Sequence, residues 1–226
     1  MRTGRTRRPR TKRNIGRQLS MHRFVITVIS AALLSVIGYS QDKVDTVKES
    51  PSVTTLQHIV FKGIPVTGTP SEFAAKLFGA GFRDSSRKEQ GCQCFTGDFF
   101  GVRDCDVLVH AKDNFVWKVT VCFPPSRMWM NVKEQYASLK QGLTEKYEVE
   151  PQSEEKLSAR YKEGSGLEQW GFESRYSKWR SLYVVPGGTI ALYVDFEPVT
   201  QCVQTRINYI DSVNYYIKRE LEKDDI

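Results

Sequence analysis

The sequence predicts an α+β fold, with antiparallel sheet and helices packed on one of its faces. Three observations predict it. Segments 115–123 and 190–196 alternate apolar with other residues at period two, which marks sheet covered on one side. Between them, Trp129, Val132, Tyr136, Leu139, Leu143 and Tyr147 recur at steps of three and four, the stripe of an amphipathic helix. Asp113-Asn114, Pro124-Pro125 and Pro186-Gly187-Gly188 supply the turns that a meander needs. The order is helix then meander, twice over. The halves share no residue-level repeat, so a duplicated helix-plus-meander unit is a topological expectation only.

The elements follow in chain order. Residues 1–40 read as a basic leader and signal peptide. Met21-His22-Arg23 precedes an apolar run over 24–39, followed by small residues at Gly38 and Ser40. The run is sixteen residues long. A membrane span needs about 20, so cleavage after Ser40 is expected rather than anchoring, and the alternative is an uncleaved signal-anchor. No Cys stands at that point, which disfavours a bacterial lipid anchor. Met21 is the expected working start, because the signal peptide is complete without residues 1–20. Residues 41–55 are polar and form a flexible lead.

Residues 56–226 are expected to form a single α+β domain, with two lobes as the variant, meeting near 124–150. His58-Ile59-Val60-Phe61 and Ile64-Pro65-Val66 are brief strands. Thr69-Pro70-Ser71-Glu72 is a helix start, with Thr as cap, Pro at the first position and Glu three residues on. Phe73 and Leu77 face inward, and Gly79 and Gly81 stop that helix. Strands follow at 94–102, at 104–110 with Cys105, Val107 and Val109 on one face, and at 115–123. In the last of these Phe115, Trp117, Val119, Val121 and Phe123 share a face. The long helix spans 128–147, and 150–165 reads as a loop or weak helix. Strands are expected at 171–185, 190–196 and 202–210, the last with Val203, Thr205, Ile207 and Tyr209 inward. Asp211 caps a polar terminal helix.

The chain carries a net charge of +7 and a pI near 9.1. Nine of its 33 basic residues lie in 1–40, where there is no Asp or Glu. The remaining 186 residues carry 24 basic against 26 acidic residues, so a nucleic-acid role is not expected. Contact with a membrane is expected only through the export segment, should it stay uncleaved.

Five cysteines, Cys92, Cys94, Cys105, Cys122 and Cys202, leave at least one thiol unpaired. Export permits disulfides, and Cys105 with Cys202 is the pairing expected if one forms. Cys92-Gln93-Cys94 lacks the two-residue spacer of the redox motif and the second pair of a zinc site. His58 and His110 stand apart, so no metal is expected. No Gly-x-Ser-x-Gly motif or phosphate loop occurs, a Cys/His pairing such as Cys94 with His110 stays open, and no cofactor is expected. Trp170, Tyr176, Trp179 and Tyr183 form the tentative binding surface, with sheet core as the alternative reading.

The stretch HIVFKGIPVTGTPSEFAAKLFGAGFR, then GDFFGVRDCDVLV, VWKVTVCFPP and YASLKQGLTEKY, resembles uncharacterised exported proteins of Bacteroides-type anaerobes. The likeness covers most of 59–147 and returns at INYIDSVN. Glu148 stands here where that pattern has Gly. The resemblance implies an exported α+β protein and carries no known activity, so it assigns no site residue. The expected function is a non-catalytic binding module of the cell envelope, periplasmic or secreted, engaging an envelope protein or a glycan. The alternative is a thiol-dependent or hydrolytic enzyme using Cys92 or Cys94.

Overall fold

A computed structural model describes residues 57–224. The expected signal segment, its expected cleavage point, Met21 and the expected lead up to residue 55 lie outside the described residues. The elements are β1 (Val60–Phe61), β2 (Ile64–Pro65), α1 (Pro70–Gly79), β3 (Arg83–Asp84), β4 (Cys92–Phe99), β5 (Val102–Lys112), β6 (Phe115–Cys122), α2 (Trp129–Tyr147), β7 (Gln152–Lys156), α3 (Glu168–Glu173), β8 (Lys178–Val185), β9 (Gly188–Glu197), β10 (Cys202–Asp211) and α4 (Ser212–Asp224).

Local sequence sets the boundaries. Thr69 caps α1 through a complete capping box: its Oγ1 accepts from the Glu72 backbone N–H at 3.2 Å, and Glu72 accepts from the Thr69 N–H at 2.9 Å. Asp113 and Asn114 have φ of 45° and 68°, both positive, as the two-residue β5–β6 turn requires. Helix α2 ends on Glu148 at φ 53°, a left-handed cap whose N–H donates to the Thr144 carbonyl. That is the conformation glycine adopts most readily.

Strands β3 to β10 form one antiparallel sheet of eight, in the order β3-β4-β5-β6-β10-β9-β8-β7, with β1 and β2 as a separate pair. Each half is a helix followed by a four-strand meander, α1 with β3–β6 and α2 with β7–β10. Their last strands meet antiparallel at the centre, Asn208 opposite Thr120. This is the order that a two-fold axis through the β6–β10 seam would generate. Both edges are blunt: β3 has two residues, and β7 reads Gln-Ser-Glu-Glu-Lys.

Helices α1 and α2 cover the same face. Phe73 and Leu77 from α1 join Val132, Tyr136, Leu139 and Leu143 from α2 in one core with Val107, Val109, Val119, Val121, Leu192 and Ile207. Helix α4 closes one end, packing against β6, β9 and β10. Its anchor is Asp211, fully buried. The carboxylate accepts from the Asn214 N–H at 2.8 Å, the Ile59 N–H at 3.0 Å and His58 Nδ1 at 3.0 Å. The Asn214 side chain then donates to the carbonyls of Val66 and Val116. One terminal helix thus ties β10, the N-terminal strands and β6 together. A Cβ at Gly188 would strike the Ile210 carbonyl, so the β8–β9 turn requires glycine there.

Three sequence expectations differ from the structure. Trp117 does not share the core face. Lys118 pairs with His110 and Val116 pairs with Ala111, so Trp117 is the extra residue of a β-bulge and turns outward, while Val116 takes the core position. Residues 152–156 form edge strand β7, whose charged residues conceal its period. The expected strand over 171–185 is α3 followed by β8, broken at Arg175 with φ 60°.

Candidate functional site

With the helices on one face, the opposite face is left to the alternate residues of the central strands. In order across the sheet these are Cys92 and Cys94 on β4, Asp106, Leu108 and His110 on β5, Lys118, Thr120 and Cys122 on β6, Gln204, Arg206 and Asn208 on β10, and Tyr193 and Asp195 on β9. The face is polar, yet its middle is well packed: Leu108, Thr120, Cys122 and Gln204 are buried.

Two arginines organise it. Arg87, on the loop after β3, reaches over the face to Glu89 at 2.9 Å, Glu197 at 3.4 Å and Asp106 at 3.5 Å. Arg206 meets Glu197 at 3.3 Å and Asp195 at 3.6 Å, and its Nε donates to Gln204. Glu197, buried, is shared by both guanidiniums. The loop is thereby tied to β5 through Asp106 and to β9 through Glu197.

Beside this network lies a neutral one. His110 Nε2 is 3.1 Å from the Thr120 hydroxyl, which donates to Asn208 Oδ1 at 2.8 Å. The hydroxyl proton is committed to Asn208, so Thr120 accepts from His110 and the imidazole is protonated on Nε2. Burial, then the Lys118 ammonium, pushes the His110 pKa down to about 4. Burial likewise lowers the pKa of Lys118, helped by Lys218 and Arg206 and opposed by Cys92 and Glu89. Outward-turned Trp117 has Lys118 and Lys218 at 5.0 and 4.8 Å from its ring and Tyr215 beside it.

An open groove of about 930 Å³ runs along the sheet edge at β4. Its walls are α1, through Ala74 and Phe78, and the loop carrying Arg87 and Glu89; Cys92, Gln93 and Cys94 line its floor. The groove exists because β3 is short. The last backbone bond to β4 is Ser85 N–H to the Cys94 carbonyl, after which the loop leaves the edge.

Cys92 stands directly across from His110, a pairing invisible before the register is known. It is not an activated nucleophile. Burial, and next the neighbouring Cys94, pushes its pKa up to about 12. With the imidazole near 4 the order is the reverse of what a thiolate–imidazolium pair needs. Burial also raises Cys122, to about 11, and Cys105, to about 12. Among the described residues no group of three His, Cys, Asp or Glu side chains is placed to hold a metal ion.

The expected Cys105–Cys202 disulfide is absent, and all five thiols are free. Cys105 is on β5 and Cys202 on β10, with β6 between them. Two strand spacings alone separate them by about 9.6 Å, beyond the roughly 6.8 Å limit between Cα atoms. The four aromatics of the expected binding surface do not share one. Tyr183 is fully buried and donates to the Lys140 carbonyl. Trp179 packs on Trp129 and Tyr136 and lines a second groove, of about 510 Å³, between α2 and β8. Trp170 leans on Phe196, and Tyr176 is exposed by itself. Tyr183 alternates inward with Ser181 and Val185, which places it in the sheet core.

No protein family, curated protein or solved structure matches this chain.

Proposed function

We propose that this chain is an exported, non-catalytic binding module of the cell envelope, and that its partner meets the helix-free sheet face and the groove beside β4. One observation carries this reading: α1 and α2 cover one face and α4 closes one end, while the other face presents an ordered set of charged, amide and aromatic groups ending in an open groove. Such a face suits a polar partner, an envelope protein or a glycan. The export segment and the resemblance to exported proteins support the compartment, and the near-neutral remainder of the chain disfavours nucleic acid. No helix among the described residues is long and apolar enough to cross a membrane.

The test is capture from the native envelope with the wild-type chain, with Gln93→Arg in the groove, and with Gln135→Arg on α2. A partner retained by wild type and Gln135→Arg but lost by Gln93→Arg is expected. Equal capture by all three overturns the assignment of the surface. N-terminal sequencing of the native protein is expected to give Gln41, and a first residue before Met21 refutes the proposed start. A thiol-dependent enzyme is the second reading, favoured by Cys92 facing His110 and opposed by the order of their pKa values.

A further inference from the structure

We propose that Cys92 and Cys94 are a redox-active dithiol that closes to a labile disulfide across a single residue, on the floor of the groove. The inference is independent of what the groove binds. Both side chains leave the same face of β4, opposite His110 and Leu108. They stand two residues apart on that face, and the Cys92 Sγ lies 3.6 Å from the Glu89 carbonyl. Both line the open groove, so a small disulfide reaches them from solvent. The other thiols differ on every count. Cys105, Cys122 and Cys202 are buried. Cys122, on the same face, is two strands away, about 9.6 Å.

The strand geometry sets the character of the bond. Residues two apart in an extended strand are about 6.7 Å apart at Cα. A disulfide tolerates up to about 6.8 Å and prefers about 5.5–6 Å. Closure therefore requires the strand to contract, and the bond is strained. A strained, accessible disulfide is readily reduced, which places it in the regulatory class rather than the structural one. The contraction is permitted here by the open side of the strand. Cys92 and Gln93 have a sheet neighbour only on the β5 side, and Gly91 precedes them at φ 78°.

The chemistry is thiol–disulfide exchange with an external disulfide of glutathione type, RSSR. Cys94 is the entry thiol, because Cys92 is engaged by Glu89 and held protonated by burial. Cys94 loses its proton to solvent, its sulfur attacks RSSR, the S–S bond breaks, and the departing RS⁻ takes up a proton. Cys92 then loses its proton and attacks the Cys94 sulfur of the mixed disulfide, expelling the second RS⁻, which is protonated in turn. The sum is dithiol plus RSSR giving the Cys92–Cys94 disulfide plus two RSH, with two electrons passing to RSSR. Closing the bond draws in the groove floor opposite α1.

The experiment equilibrates the reduced full chain with glutathione and glutathione disulfide over a range of ratios. Acid quenching, alkylation and mass spectrometry of the tryptic peptide 89–103, which contains both cysteines, give the readout. The expected result is loss of two hydrogens from that peptide at oxidising ratios, reversed at reducing ones, with Cys105, Cys122 and Cys202 alkylated only after unfolding. Cys92→Ser is expected to accumulate one glutathione on Cys94. The proposal is overturned by a peptide that keeps both thiols at every ratio, by a bond to any other cysteine, or by a bond that survives the most reducing ratio. The wild-type titration decides the matter even if the variant fails to fold.

Discussion

Replacing Asp211 by Ala removes a fully buried carboxylate that satisfies three donors at once: the Ile59 N–H, the Asn214 N–H and His58 Nδ1. Loss of the cap on α4 costs about 1 kcal/mol. The Ile59 N–H, left buried without an acceptor, costs a further 1–3 kcal/mol or so. The His58 imidazole loses its hydrogen-bond partner as well, worth about 1 kcal/mol. We expect Asp211→Ala to destabilise by about 3–5 kcal/mol, a large fraction of the roughly 5–15 kcal/mol of a typical domain. Asp211→Asn keeps the shape and one capping oxygen, but turns an NH₂ toward the Ile59 N–H or the imidazole, so it is expected to cost about 1–3 kcal/mol. Urea unfolding with fluorescence detection measures both. A value for Asp211→Ala within about 1 kcal/mol of wild type, or Asn no better than Ala, would refute the view that one carboxylate joins the N-terminal strands to the terminal helix.

Stability should also depend on pH through His110. Its folded pKa of about 4 lies below the ordinary 6.5, so the unfolded chain binds more protons between those values. The contribution is complete above pH 6.5, falls as pH drops toward 4, and amounts to at most about 3 kcal/mol. Urea melts across that window should show the loss, with a shallower slope in His110→Gln. Glu148→Gly, at a left-handed helix cap, should stabilise by about 0.5–1 kcal/mol, read as a raised Tm. Thr69→Ala should cost about 1 kcal/mol by removing the α1 cap, measured by thermal melting. Leu143→Ala, fully buried on α2, should cost about 2–5 kcal/mol by urea unfolding, whereas Val199→Asp, 90% exposed, should change stability by under about 0.5 kcal/mol.

The elements with strong local chemistry were legible in the sequence. The Thr69–Glu72 box marks α1, the Trp129 to Leu143 stripe marks α2, and the alternation in β9 and β10 marks the second meander. What escaped depended on partners far along the chain. The Trp117 bulge is set by pairing with β5, and nothing local distinguishes it from regular alternation. Edge strand β7 is charged on both faces, so it carries no period. The site was hardest to read. Cys92 meets His110, and Arg87 meets Glu197, only once the register of β4–β5 and the path of the loop over the sheet are fixed. The four aromatics read as one surface lie apart, with Tyr183 buried and Trp179 packed on Trp129, because aromatics are as useful beneath a helix as on a binding face.

The β6–β10 seam also governs when the molecule can form. The strand at the centre of the sheet is the last in the chain, and it is laid between two others already made. Until it arrives, β6 shows an open, apolar edge, a template for pairing with other chains. The first half is therefore incomplete by construction, and its closure requires contacts between distant parts of the sequence, which slows folding. That delay makes the half-assembled intermediate, with its β6 edge uncovered, the species most in need of protection.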